Sequence, residues 1–244
     1  MAGYGTKDVK LLVHGSNVSA DIDQVTMKTS AIVQEFKPLG AVFPTTYDTG
    51  GRTGELTASG IYNSIPSESP ILAVVSGTDR VVAVVHEGDT VSSRAWCFQK
   101  AIVSATEIGL APDTIHSLTP EFTVTGTVNN AYVVAPLVAR TTAGNTQSTY
   151  ADMAVAATGG TARAFLVVTS LTLGGYTNLI VTVQSCATSG GSYDDETAFT
   201  AVTAAGAESV ALSGDVNRYL AVKWAWTGAG TGQSATFWVG VSRD

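Results

Sequence analysis

The chain has 244 residues, enough for one large or two small β domains with real hydrophobic cores. Apolar residues make up 45% and charged residues only 14%, so the surface is thinly charged and suited to burial against other protein. The 13 basic residues are outnumbered by 20 acidic ones, for a net charge of -7, and none of the basic residues cluster; this excludes a surface that grips nucleic acid by counterion release.

Period-two alternation dominates from the start. Val9, Leu11 and Val13 alternate with Lys10 and His14 as a first strand, and Ile32 to Phe36 is strand-like. Pro38 to Gly54 is rich in Gly, Pro and Thr and reads as a long loop. Leu56, Ala58, Gly60 and Tyr62 then alternate with Glu55, Thr57 and Ser59. Ser67 to Ser76 is the one expected helix, with Ser69 and Pro70 as N-cap and first turn and Gly77 closing the end.

Arg80 to His86 is a short, nearly continuous apolar run of the buried-strand type. Arg94 to Thr106 places Trp96, Phe98 and Ile102 on one face and Cys97, Ala101 and Val103 on the other. Phe122 with Val124, and then Ala131 to Ala139, complete a set of roughly eight strands before residue 140.

From Thr141 to Ala162 the composition shifts to Thr, Ala, Gly, Ser and Asn, as in a linker. Strands resume at Phe165 to Leu171, Leu179 to Val183, Leu220 to Trp226 and Phe237 to Val241, separated by Gly-rich turns. Roughly six or seven strands in about 80 residues suggest a small jelly-roll-like β-sandwich. The expected organisation is all-β: a sandwich or barrel domain with one short helix at 1–145, a linker at 146–162 and a second, outer sandwich at 163–244.

Chemistry finds little foothold. His14, His86 and His116 stand in separate segments without partners at ligand spacing. Asp48-Thr-Gly50 lacks the second carboxylate that acid proteolysis requires, and the stretch that follows lacks the Gly-Lys-Ser/Thr of a phosphate loop. Asp21-Ile-Asp23 and Asp194-Asp-Glu196 lack calcium-loop spacing. No catalytic residue, cofactor or metal is expected. Cys97 and Cys186 read as buried free thiols.

No apolar run approaches the roughly 18 residues of a membrane helix, and Met1 to Val13, carrying Lys7, Asp8 and Lys10, does not read as a secretory signal. If Phe237, Val239 and Val241 face a core, alternation turns Trp238 outward, either to a contact or under a second covering layer. Tyr176 and Tyr193 lie in or beside turns. These three aromatics are the candidate surface-binding residues, for a protein or a sugar ring.

The order of elements in the first 140 residues resembles the major tail tube proteins of long-tailed, siphovirus-like phages. The likeness is carried by Val9 to Val13, Gly15-Ser-Asn-Val-Ser19, the long loop and Glu55-Leu-Thr-Ala-Ser-Gly60. Leu173-Gly-Gly-Tyr-Thr-Asn178 with Val216-Asn-Arg-Tyr-Leu220 is similar to the galactose-binding-like sandwiches that some of these proteins carry as an outer addition. The resemblance implies a structural virion protein, made in the host cytoplasm, whose copies form rings, commonly hexamers, stacked into a tail tube. It implies that the loop at 38–54, with Phe43, Tyr47, Asp48 and Arg52, bridges neighbouring rings. Implied partners are further copies, the tape measure, terminator and tail-tip proteins, and DNA only as non-specific cargo. A surface glycan on the C-terminal domain is a further candidate. Related roles stay open: a capsid decoration, tail-tip or head–tail joining protein, or a carbohydrate-binding adhesin module.

Overall fold

In the computed structural model, residues 9–20, 22–36, 45–61, 80–109, 117–124, 127–157, 159 and 162–243 are described. Alternating apolar residues build antiparallel strands throughout. In chain order they are β1 (Lys10–Val13), β2 (Ser16–Asn17), β3 (Ile22–Phe36), β4 (Thr45–Ile61), β5 (Arg80–Val85), β6 (Arg94–Gly109), β7 (Ser117–Val124) and β8 (Val128–Arg140). Then follow β9 (Gly144–Asn145), a 3-10 turn at Gln147–Thr149, β10 (Ala151–Asp152), β11 (Ala162–Thr172), β12 (Asn178–Cys186), β13 (Asp194–Ala198), β14 (Gly206–Ala211), β15 (Tyr219–Thr227) and β16 (Ser234–Arg243). The helix expected at 67–76 lies outside the described residues.

The larger sheet runs β14-β11-β16-β8-β6-β5-β1-β2, and a branch β6-β7-β4-β3 leaves it. Its two ends approach each other, because β14 lies against β5 and β11 against β2. At this seam Gly15, at a φ of +91°, lets the β1–β2 turn touch β14, since a Cβ there would stand 2.5 Å from the Gly206 nitrogen. The sheet is therefore rolled, with Leu12, Ala83, Val85, Cys97, Phe165 and Trp238 among the side chains filling its interior.

Two further cores lie on the outside of the roll. On one side Leu11, Val13, Val82, Val84 and Phe98 meet Leu56, Ala58, Leu118 and Phe122 of the branch. On the other, Leu166, Val168, Phe237, Val239 and Val241 meet Leu179, Val181, Val183, Leu220 and Val222 of the smaller sheet, ordered β10-β15-β12-β13 with β9 also on β15. Strand β5 is covered on both faces: Val82 and Val84 point to one core and Val81, Ala83 and Val85 to the other. That explains its unbroken apolar sequence.

Strand β6 departs from simple alternation. Val82 pairs with Phe98 and Arg80 with Ala101, so β6 carries one extra residue there, a β-bulge. The bulge shifts the phase, and Phe98, Ala101 and Val103 all enter one core, where the sequence had put Phe98 opposite the other two. It also lets the first half of β6 pair with β8 while its second half pairs with β7.

The expected division at 145 and 163 does not separate two sheets. Strand β8 pairs with β16, β16 with β11, and β11 with β14, so strands from both sides of the boundary share one ladder. From Thr146 to Ala157 the stretch read as a linker is held by backbone pairing: the Thr146 amide donates to Val222 O at 2.9 Å, the Met153 amide to Arg218 O at 3.1 Å, and Ala157 pairs with Val216.

Trp238 is 0% exposed, which selects the second covering layer and corrects its candidacy as a surface-binding residue. Alternation does turn it away from Phe237 and Val239, but that other face is the interior of the roll. A Cβ on Gly240 would stand 2.2 Å from the indole. A Gly240→Ala variant should accordingly lose about 1–3 kcal/mol in urea denaturation through overpacking; an unchanged midpoint would contradict this placement. Truncation after residue 155 removes β11, β14 and β16 and opens two cores together. The truncated chain should lack a cooperative thermal transition by circular dichroism, and a sharp one would show that the first half folds alone.

Candidate assembly surfaces

Strands β3 and β4 pair from Ile22 opposite Gly60 to Phe36 opposite Thr45. Strand β7 covers β4 only from Gly54, opposite Val124, to Ile61, opposite Ser117. Beyond Gly54 the hairpin is a two-stranded ribbon, Thr29–Phe36 with Thr45–Thr53, and no third strand joins it among the described residues. At ~3.4 Å per residue this arm extends roughly 30 Å. Gly54 sits at its root, where a Cβ would press within 3.1 Å of Val124 and Val128. A two-stranded ribbon is marginal by itself in water, and both its edges carry unpaired N–H and C=O groups.

The arm corrects the loop expected at 38–54. Thr45 to Gly54 is strand, while Phe43 lies outside the described residues. Tyr47 stands opposite Gln34, Asp48 opposite Val33 and Arg52 opposite Ala31. Between the last two pairs the register shifts, because Gly50 and Gly51 fall in an irregularity of the ladder. Glycines that read as a loop mark a bulge inside a strand.

Tyr176 and Tyr193 are both half-buried. The Tyr176 amide donates to Leu173 O at 3.0 Å in its turn, and its ring lies 5.9 Å from that of Trp226. The Tyr193 hydroxyl is buried without a protein partner, and burial raises its pKa, with Cys186, Tyr150 and Tyr219 adding to the effect. The two tyrosines stand at opposite ends of the β12–β15 pair, one beside Asn178–Thr227 and the other beside Cys186–Tyr219. About eight strand residues separate them, roughly 26 Å. With Trp238 in the interior, the three candidates do not form a common site.

His14 and His86 are both pushed down by burial, helped by Arg80 for His14 and by Arg94 for His86, and Glu87 opposes the shift at His86. The His86 ring packs 4.4 Å from Trp96. His116 lies outside the described residues. Arg218 donates to both Asp152 oxygens at 2.6 and 2.7 Å, and this hydrogen bonding holds the carboxyl down to about 2.

One polar cluster escaped the sequence reading. Val138 pairs with Phe237 but Ala135 with Val239, so β8 carries an extra residue around Pro136 and Leu137. The groups freed there are recaptured by side chains. The Leu137 amide donates to Asp89 Oδ2 at 2.9 Å, and Arg140 donates to the carbonyls of Pro136, Val138 and Phe237 at 3.0, 2.8 and 2.8 Å. The guanidinium lies 3.9 Å from the Phe237 ring and 4.9 Å from that of Trp224. Burial pulls its pKa down to about 10, and Asp89 opposes that. A proline inside a strand pattern was the one available signal.

No family model matches the chain. No curated protein matches it either. Among solved structures the chain is similar to a protein of the virion of a native gene transfer agent particle, at 9% identity and a TM-score of 0.42, over 52% of this chain and 98% of that one. It is similar to the SPP1 tail tube protein at 11% identity and a TM-score of 0.41, over 53% of this chain and 79% of the other. Similarity to the SPP1 Dit protein, described as a paradigm of the hub adsorption apparatus in phages infecting Gram-positive bacteria, spans 96% of this chain and 98% of that one, at 12% identity and a TM-score of 0.37.

Cys97 and Cys186 are free, at 0% and 4% exposure, and burial pushes the Cys97 thiol up. Both expectations of buried free thiols hold. Native protein should react with an aromatic disulfide reagent at less than about a tenth of its rate in denaturant. Fast native labelling of Cys97 would show that the roll opens.

Proposed function

We propose that the protein is a structural subunit of a phage-like tail, whose copies close into six-membered rings stacked as the tube through which the genome passes. The observation that carries this reading is the β3–β4 arm, a ribbon with two unpaired edges on a body whose larger sheet is rolled against itself. Identical neighbours supply what the arm lacks. A contact between different surfaces of identical copies closes into a ring or repeats along an axis, and it repeats until another component stops it. Tyr47, Asp48 and Arg52 of the arm, together with Phe43, which lies outside the described residues, are the residues assigned to stacking.

Composition supports the same reading. A surface with 14% charged residues tolerates burial between copies, and a net charge of -7 lets DNA pass as cargo without being gripped. The partners of such a subunit are further copies and the tape measure, terminator and tail-tip proteins. Its place is the virion tail after synthesis in the host cytoplasm. The role is architectural and not enzymatic.

The test shortens the arm and leaves its root intact. Replacing residues 31–52 by Asn-Gly joins the paired Ser30 and Thr53 through a two-residue turn suited to a hairpin. The variant should melt within about 4 °C of the parent, a shift of order 1 kcal/mol or less. In negative-stain images the parent should form tubes and the variant none. Tubes from the variant would sink the stacking role, and a parent that stays monomeric at every concentration would sink the reading as a whole. Single rings from the parent would make it a ring-only part such as a tail-tip or joining protein.

A further inference from the structure

The two outer cores do not meet over the roll. Trp96 of β6 packs on the margin of the core under the branch, and Tyr132 of β8 on the margin of the core under the smaller sheet. Between them lies a strip of sheet on which Arg94 and Asn130 are exposed. A groove of about 290 Å³ runs there, lined by His86, Arg94, Trp96, Asn130, Ala131 and Tyr132. That volume is about ten times the ~30 Å³ share of a single water and close to the lower end of the range for small-ligand sites.

Strand register sets the polar groups of this strip side by side. Arg94 pairs with Tyr132 and Trp96 with Asn130, and the His86 amide donates to Arg94 O at 3.3 Å. Residues two apart on a strand share a face, so Arg94 and Trp96 occupy adjacent rows on the outside of the roll, with Tyr132 and Asn130 beside them. The Arg94 guanidinium is located by its neighbours: it lies 6.0 Å from the centre of the Tyr132 ring, and its charge acts on His86. It therefore stands within the groove, between these two rings.

These groups are open and uncommitted. Among the described residues the Arg94 guanidinium, the Asn130 amide and the Tyr132 hydroxyl have no hydrogen-bond or ion-pair partner. Glu87 spends Oε2 on the Arg94 backbone amide at 3.2 Å and not on its guanidinium. Asp152 is taken up by Arg218, and Arg243 adds a further positive charge beside Tyr132. On a chain whose net charge is -7, such a local excess of guanidinium is a focused attraction for an anion.

We propose that this groove binds an acidic sugar, a pyranose bearing a carboxylate or phosphate group. The oxyanion takes the planar fork of the Arg94 guanidinium, ring hydroxyls exchange hydrogen bonds with the Asn130 amide and the Tyr132 hydroxyl, and the C–H side of the ring rests on the accessible part of Trp96. A bare oxyanion fills a small part of the groove and leaves Asn130 and Trp96 unused. A cation is repelled by Arg94, and a neutral sugar forgoes the charge-assisted bond. The site lies on the body, apart from the arm and from Tyr176 and Tyr193, and does not rest on the tail reading.

Saturation-transfer difference NMR on the full chain tests the proposal, because it reads binding to a monomer and to an assembled tube alike. The probes are glucuronate and galacturonate for a carboxylate source and glucose 6-phosphate for a phosphate source, with glucose, acetate and inorganic phosphate as comparators. At least one acidic sugar should give a saturable signal that the comparators at equal concentration do not displace. Arg94→Gln, which removes the charge-assisted bond, should weaken it about tenfold or more. Asn130→Trp, at an exposed position on the groove, should block it, and Lys28→Gln, at an exposed position outside the groove, should leave it unchanged. Melting curves check that each variant is folded, and Arg94→Gln alone suffices, since it breaks no side-chain hydrogen bond among the described residues. No signal from any acidic sugar, a signal untouched by Arg94→Gln, or full displacement by acetate or phosphate would overturn the assignment. Tube formation is scored independently by microscopy, so failure of the sugar site and failure of the tail reading are told apart.

Discussion

The ladder β8-β16-β11 holds the molecule together. Strand β16 has a hydrogen-bonded neighbour on each edge and a core on each face. Its odd-numbered side chains, Phe237, Val239 and Val241, close the outer sandwich, and Trp238 fills the roll. From Phe237 to Val241 neither face of this strand can accept a polar residue or lose an apolar one without loss in one core or the other. Gly240 follows from the same constraint: the indole of Trp238 needs the space that a side chain two positions on would occupy. Strand β16 thereby completes structure begun by strands before residue 140.

That constraint reaches the arm through β6. One half of β6 belongs to the roll and the other half pairs with β7, which in turn carries the root of β4. The arm is rooted in a branch that shares a continuous strand with the rolled sheet, so its direction is set by packed cores and not by a tether.

Much of this was legible in the residues, and the gaps have physical causes. Alternation identified β11, β12 and β16 and the strand covered on both faces, β5, because side-chain period is a local property of a strand. What alternation cannot say is whether the second face meets water or another layer, and for that reason the sequence left Trp238 open between a surface contact and burial. The bulges in β6, β4 and β8 insert extra residues among neighbours of ordinary sequence, so the change of register is invisible until the partner strand is known. Thr45 to Gly54 read as a loop because Gly50 and Gly51 outweighed the β-branched threonines around them. The linker was read from small polar residues, yet Thr146, Met153 and Ala157 are held by backbone pairing, which composition does not encode. The Asp89–Arg140 cluster draws on four segments, from residue 89 to residue 237, and only the fold brings them together.

Open edges are unevenly distributed over the molecule. The ends of the rolled sheet are shielded, since the β1–β2 turn presses against β14 at Gly15, and β2 is two residues long. Among the described residues the longest stretch of unpaired edge is on the arm, away from that seam. Natural sheets blunt such edges with charge, proline or short length unless pairing is their use. The distal arm does little of this: Thr29–Phe36 and Thr45–Thr53 contain no proline and only Glu35, Asp48 and Arg52 as charges. An interface made by backbone pairing on so sparsely charged a ribbon draws its strength from hydrogen bonds and buried apolar surface. It should depend far less on ionic strength than a contact made by surface ion pairs, whose attraction is screened within about 10 Å at 0.1 M salt.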